Sequence, residues 1–460
     1  MATRTTAVTP AILVPGQRTY HGLKVNGSRM LETLHKTCDF GKAYPWGELA
    51  TETGMARLSL NDDDKKVRDW LLAEAETLGC TVTVDQMGNM FVVRPGRSKD
   101  AAPVMMGSHL DTQPTGGRYD GILGVMAGLE VLRTLEDNKW ETEGPVGLVN
   151  WTNEEGARFP IVTVASAVWA GAIPLETAWA LAEVSPPAGP PQTMKQELAR
   201  IGYLGATPAS HASFPIAAHF ELHIEQGPVL EDAGRTIGVV TGAQAHSWFE
   251  VVVSGSDSHA GTTPLGARQD AVLAAARMIV ASNEVAKQHQ GLITTGIVGG
   301  VPGSVNTVPH TARFTLDVRH ASDVTVVEMV GQCRARFEEI ARGESERGVE
   351  VSWRTLTENK AVMFHEHCIR AVEEAAEEYC SQQLPDHRKA AESRRWQHIT
   401  SGAGHDSCQV SKICPAAMIF TPTRKGRSHT PDEYCPPEDC VAGAQVLLGA
   451  VLRYDASRKL

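Results

Sequence analysis

Two rhythms of apolar and polar positions divide this chain. In the first, helical and extended periods alternate from about residue 60 onward. DDDKKVRDWLLAEAETLG (62–79) repeats apolar residues at the helical period behind an acidic start, which predicts an amphipathic helix. CTVTVDQMGNMFVVRPG (80–96) reads as a hairpin with MGN at its turn, and PVMMGSHLD (103–111) as a central strand. GILGVMAGLEVLRTLED (121–137) sets Ile122, Val125, Leu129 and Leu132 along one helix face. PVGLVNWTNEEG (145–156) is the next strand and ends in two adjacent glutamates. The alternation predicts an α/β fold with helices on both faces of a sheet. Sites in such folds gather at the carboxyl ends of strands, and both polar clusters fall there.

The second rhythm begins near residue 245. Strand WFEVVVSG (248–255), a helix over about 268–289, strands LITTGIVGG (292–300) and TARFTLDVRH (311–320), helix VTVVEMVGQCRARFEEIAR (324–342) and strand VEVSWRTL (349–356) follow in order. That order, β-α-β-β-α-β, is the ferredoxin-like unit. After about residue 360 the first style returns, with helix HCIRAVEEAAEEYC (367–380) and strand PAAMIFTP (415–422). SPPAGPPQ (185–192) reads as a proline-rich loop, and 383–395 as a polar loop or helix.

Composition narrows the class. At 460 residues two domains are expected, and 42% hydrophobic with 21% charged residues describes an ordinary globular protein. A net charge of −11 without a long basic block argues against nucleic acid as a partner. No apolar run is long enough to span a bilayer, so no membrane partner is expected. Nine scattered cysteines without a C-x-x-C pair point to reduced thiols and a cytoplasmic location.

Five groups fit a metal site: His109 and Asp120 from GSHLDTQPTGGRYDG, Glu155 from NEEG, His223 from HIEQG and His429 from GRSHTPDE. Imidazole and carboxylate without thiolate is the ligand set of hydrolytic Zn²⁺, or of Mn²⁺, Co²⁺ or Ni²⁺ in its place. Two metals are satisfied if Asp120 bridges them. Asp111, on the same side of the strand as His109, is expected to hold the second imidazole nitrogen through its carboxylate. Side chains at a strand end diverge, so Glu155 can bind metal while Glu154 faces the substrate water as general base and later acid. If His429 joins a site begun by His109, the module between them must be inserted into the domain that carries the site.

GSHLDT, GGRYDGILGV, NEEGARF, HIEQGPVLE, HAGTTP and GRSHTPDE together resemble the amidase/hydantoinase/carbamoylase branch of the M20 metallopeptidase superfamily. The N-terminal TGMARLSLNDDDKKVRDW is similar to yeast-type β-alanine synthases and N-carbamoyl-L-amino-acid hydrolases. The resemblance implies a dizinc-hydrolase catalytic domain in two segments, 1–244 and 361–460. Residues 245–360 would be an inserted ferredoxin-like lid and dimerisation domain, which makes a homodimer the expected assembly. His109, Asp120 and His223 would hold one Zn²⁺, and Asp120, Glu155 and His429 the other, with Glu154 as base. His259 would stabilise the oxyanion with help from Asn306, Arg319 would take the substrate carboxylate, and Gln226 and His405 would line the carbamoyl end. The small-molecule substrate expected first is N-carbamoyl-β-alanine, cleaved to β-alanine, ammonia and carbon dioxide. N-carbamoyl-L-amino acids and allantoate are the alternatives. A dipeptidase and a catalytically inactive binding or scaffold homodimer stand further back.

Overall fold

The computed structural model describes residues 22–184, 189–343, 347–382 and 395–458. Part of the proline-rich loop and all but the last residue of 383–395 lie outside the described residues. The fold is mixed α/β. Among the described residues nine strands form one large sheet. At its centre the strands Ala416–Thr421, Ala218–Ile224, Val104–His109 and Val146–Trp151 lie side by side and parallel. The predicted hairpin, Thr81–Val84 with Met90–Arg94, adds antiparallel strands at one edge. Ile237–Ala243 flanks the other side, antiparallel to Ala416–Thr421 and parallel to Trp396–Ser401.

Alternation along the buried strands explains why helices cover both faces. Val104, Met106, Leu148 and Phe220 point into one core, which also takes Val125, Leu129 and Leu132 of helix Ile122–Asp137 and Leu447 and Val451 of helix Pro437–Ala456. Met105, Val149 and Trp151 point the other way, onto Trp169 and Val410. The period of two thus sorts the strand residues into two apolar layers.

Residues from Ala245 to Asn359 build a second, five-stranded sheet with its own core. Strand Ala245–Ser254 lies between Thr311–His320 and Glu350–Asn359, antiparallel to both. Helices Ala271–His289 and Asp323–Gly343 pack on one face, so the β-α-β-β-α-β order is realised as an inserted ferredoxin-like unit. LITTGIVGG, expected as one strand, is two: Leu292–Thr294 and Val298–Val301 each pair with Thr311–His320. Between them the regular ladder is interrupted: Ile297 N–H donates to the Thr315 hydroxyl at 3.1 Å, while its carbonyl still accepts the Thr315 N–H at 3.0 Å. Among the described residues no helix is long and apolar enough to cross a membrane.

Candidate metal centre and active site

Three parallel strands deliver side chains to one end of the large sheet. Val104–His109 ends on His109, Val146–Trp151 runs out to Glu154 and Glu155, and Ala218–Ile224 carries His223. His109 is wholly buried, and its Nδ1 lies 2.9 Å from the Asp111 main-chain carbonyl. Nδ1 therefore carries a proton toward that carbonyl, and Nε2 is the nitrogen turned toward the cluster. That Nε2 has no hydrogen-bond partner among the described residues, and it stands 3.5 Å from both Asp120 Oδ1 and Glu154 Oε2. His223 is held similarly, with Nδ1 2.8 Å from its neighbour's carbonyl at Ile224, but its Nε2, 3.2 Å from Asp120 Oδ1, also accepts the Gly121 N–H at 3.2 Å.

Asp120 reaches both imidazoles because the chain reverses immediately after it. Ile122 N–H donates back to the Asp120 carbonyl at 2.7 Å, across Gly121 at φ 68°, ψ −46°. This is a γ-turn of the hand that strains any residue with a side chain. A Cβ at Gly121 would also lie closer than 3.0 Å to three atoms of the His109 ring. On the far side of Asp120, Oδ2 is 3.4 Å from His429 Nε2, which in turn is 3.5 Å from Glu155 Oε2.

The donor atoms of His109, Asp120 and His223 all lie within 4.8 Å of one another, and so do those of Asp120, Glu155 and His429. These are the two sets the resemblance implied, sharing Asp120. Glu221, His223 and His405 form a third such group. There, however, the Ser108 and Ser407 hydroxyls already donate to the two Glu221 oxygens at 2.6 Å each, so Glu221 serves as an anchor.

Charge in the cluster follows from burial and proximity. Burial lowers the proton affinity of His109, but Glu154, Asp120 and Asp111 outweigh it and push its pKa well above the ordinary value. Asp120, despite burial, is held well below the carboxylate range by His223, His109 and His429. Burial raises Glu154 far above an ordinary glutamate, and the neighbouring Asp406, Glu155 and Asp120 raise it further. Glu155 is pushed up to about 7 by burial and by Asp120. A pocket of carboxylates that draws protons onto imidazole in this way takes a divalent cation in their place. A His109 Nε2 without a hydrogen-bond partner among the described residues and the all-nitrogen-and-oxygen donor set fit such an ion.

Asp111 departs from expectation. Its carboxylate does not touch the imidazole, which is met by the main-chain carbonyl of the same residue. Oδ1 and Oδ2 instead accept the main-chain N–H groups of Glu154 and Glu155, each at 3.2 Å. The strand end turns the Asp111 side chain toward the neighbouring strand, so it orients the two glutamates. Gln226 donates to Asp120 Oδ2 at 2.7 Å and lies 3.2 Å from His429 Nε2. His405 is buried, with its ring packed against His223 at 4.6 Å between centroids and Nε2 3.1 Å from the Ser401 hydroxyl. Burial and His223 hold its pKa down at about 3.

Arg319 ties the ferredoxin-like unit to the large-sheet unit. Phe314, Leu316 and Val318 fill its core, as their shared face predicts, and Arg319 points away from it. The guanidinium pairs with Asp317, Nη2 to Oδ2 at 2.7 Å, and donates to the Gly402 carbonyl of the large-sheet unit at 2.7 Å. Gly402 lines two crevices, of about 590 Å³ beside Gln226 and His429 and about 780 Å³ beside His405 and Trp248. His259 and Asn306 line neither. They sit together on a small ribbon in which Ser258–His259 pairs with Thr307–Val308. His259 Nδ1 accepts the N–H groups of Gly261 and Thr262 at 3.0 and 3.3 Å, which leaves Nε2–H as a free donor.

Four residues outside the expected set also contribute. Gln113 donates to Glu155 Oε2 at 2.7 Å. Glu221 anchors Ser108 and Ser407, and Ser428 and Glu433 contact the Asp120 loop. Glu221 carries a sequence signal: in AHFELHI, His219, Glu221 and His223 alternate with Phe220, Leu222 and Ile224, so three polar groups share one buried face. Gln113, Ser428 and Glu433 lie inside the quoted GSHLDTQPTGGRYDG and GRSHTPDE stretches, where nothing in their local pattern singles them out from their neighbours.

Residues 105–453 match Peptidase family M20/M25/M40. The chain belongs to this family. The M20 chain is 38% identical over 438 residues to an N-carbamoyl-L-amino-acid amidohydrolase of Rhizobium meliloti, covering 93% of this chain and 96% of that one. It is 34% identical to an N-carbamoyl-L-amino acid amidohydrolase of Geobacillus stearothermophilus, covering 93% and 98%. The crystal structure of an amidase of the hydantoinase/carbamoylase family from Burkholderia multivorans superposes with a TM-score of 0.85 at 42% identity, over 95% of this chain and all (100%) of that one. This M20 member is accordingly a hydrolase of carbon–nitrogen bonds in linear amides, and divalent metal binding goes with the family.

Proposed function

We propose that this M20 hydrolase removes the carbamoyl group from N-carbamoyl-L-α-amino acids, giving the amino acid, ammonia and carbon dioxide. The observation that carries the reading is Glu154. It is buried, raised in pKa, 3.5 Å from His109 Nε2, and a member of neither Asp120-sharing ligand group. A carboxylate so placed takes a proton from the attacking water and returns it to the departing nitrogen. N-carbamoyl-β-alanine, the substrate expected first, gives way to its alternative, because the relatives at 38% and 34% identity are named for N-carbamoyl-L-amino acids.

His109, Asp120 and His223 would hold one Zn²⁺ and Asp120, Glu155 and His429 a second, with Mn²⁺, Co²⁺ or Ni²⁺ as substitutes. Bound ions supply Lewis-acid polarisation of the carbamoyl carbonyl and acidify water. Residues 1–244 and 361–460 would form the catalytic domain, and 245–360 the lid and the homodimer contact. On closure the Arg319 fork would exchange Asp317 for the substrate carboxylate, and His259 Nε2–H would donate to the developing oxyanion with Asn306 beside it. Gln226 and His405 would line the carbamoyl end. Nine free cysteines, all buried, accord with a cytoplasmic setting.

The test is ammonia release by zinc-loaded enzyme from N-carbamoyl-L-methionine, N-carbamoyl-β-alanine and allantoate, with Glu154→Gln as control. Preference for the first is expected, with kcat about 10²–10⁴-fold lower in the variant. Turnover of β-alanine's derivative alone would reverse the substrate assignment. A fully active Glu154→Gln would remove the general base.

A further inference from the structure

We infer that Glu433 is a positioning residue of the metal centre, clamping the Asp120 loop and tying the His429 loop to it. The inference rests on the metal reading above. Glu433 is 2% exposed, and both its carboxylate oxygens are engaged. Oε1 accepts the main-chain N–H groups of Tyr119 at 3.0 Å and Asp120 at 3.1 Å. Oε2 is met by the Ser428 hydroxyl at 2.8 Å, and the same hydroxyl lies 2.9 Å from Asp120 Oδ2. One carboxylate thus joins the chain segment that ends in the shared ligand to the residue preceding His429, more than 300 positions later in sequence.

The fit is built for it. A Cβ at Gly117 would fall closer than 3.0 Å to Glu433 Oε1, Cβ and Cδ, so the second glycine of GGRYDG leaves the space this side chain fills. The loop carrying Glu433 is itself braced, with Arg427 paired to Asp432 at 2.6 Å. Without Glu433 two buried N–H groups lose their acceptor, and the loop relieves this by moving. Any such movement carries the Asp120 carboxylate away from His109 and His223. It also frees Ser428 and, with it, His429, a non-glycine residue held at φ 56°. Both ligand groups contain Asp120, so both weaken, and the one that includes His429 loses two supports.

Purified full-length wild type, Glu433→Ala, Glu433→Gln and Ser428→Ala are titrated with Zn²⁺ against a chromophoric chelator, and visible spectra are recorded with Co²⁺. Glu433→Ala is expected to weaken zinc binding about 10–100-fold, the usual range for residues that orient metal ligands, and to change the cobalt spectrum. Glu433→Gln keeps an acceptor for the two N–H groups and an amide donor for Ser428, so it stays within about threefold of wild type. Ser428→Ala weakens one of the two ions more than the other. Wild-type affinities and spectrum in Glu433→Ala overturn the inference, whatever happens to thermal stability. So does a Glu433→Gln as weak as the alanine variant. If Glu433→Ala does not fold, equal weakening of both ions or of neither in Ser428→Ala overturns it. A wild type that binds no zinc brings down the metal reading as well.

Discussion

Gly121→Ala tests whether the site's geometry depends on one missing side chain. Gly121 is the central residue of the γ-turn that swings Asp120 back toward His109 and His223, at φ 68°, ψ −46°. An alanine there carries two separable penalties. Backbone strain at such a φ and ψ costs about 1–3 kcal/mol. The new methyl group lies closer than 3.0 Å to His109 Cε1, Nδ1 and Nε2, and the ring it meets is wholly buried. Overpacking of this kind costs a further 1–3 kcal/mol or so. The sum is about 2–6 kcal/mol, unless the imidazole gives way, in which case the loss passes from stability to metal affinity. Gly79→Ala is the control, since Gly79 also has positive φ, 66°, but a Cβ there meets nothing within 4 Å. Urea unfolding followed by tryptophan fluorescence and zinc titration are measured on both variants. Gly121→Ala should lose stability, zinc affinity by tenfold or more, or both, beyond whatever Gly79→Ala loses. Equal, small losses in the two would refute the claim that Gly121 makes room for a metal-ligating imidazole.

Gln113→Leu removes the amide that donates to Glu155 Oε2 at 2.7 Å, and should lower zinc affinity or kcat/KM about tenfold with the fold intact by circular dichroism. Arg319→Ala should raise KM for the N-carbamoyl amino acid roughly 10–100-fold with a smaller change in kcat, the expected cost of losing a charge-assisted carboxylate contact. An unchanged KM would leave Arg319 as the partner of Asp317 alone. His219 shapes acid stability. Trp151 Nε1–H donates to its Nε2 at 3.4 Å, so Nδ1 carries the proton toward Ser407 at 3.0 Å, and burial holds the folded pKa at about 4 against 6.5 for the free side chain. Between those values the unfolded chain binds the extra proton. Its contribution is therefore complete above about pH 6.5 and is lost as pH falls toward 4, by up to about 3 kcal/mol. His219→Gln should flatten that part of the stability–pH curve.

The sequence shows the proposed ligands and base more clearly than the groups that hold them, and the reason is range. His109, Glu154, Glu155 and His223 stand at strand ends or just beyond them, and the strands are visible because apolar runs and alternation are local properties. Asp120 shows itself through its glycines. The supporting contacts are made across 42 residues for Gln113 to Glu155, 113 for Ser108 to Glu221 and 313 for Asp120 to Glu433, and no window of sequence contains both partners. Asp111 illustrates the same limit at short range. Its spacing from His109 correctly puts it beside the imidazole, yet the choice between its carboxylate and its carbonyl as partner is made by the neighbouring strand, whose Glu154 and Glu155 N–H groups claim the carboxylate. At the broken strand, 295–297, the Ile297 N–H likewise meets a partner, the Thr315 hydroxyl, that the local pattern does not contain. Such partners are also why these residues carry the sharper tests. A ligand substitution abolishes activity under almost any metal hypothesis, whereas a change at Gly121, Gln113 or Glu433 alters zinc affinity only if the groups they position sit where this structure has them.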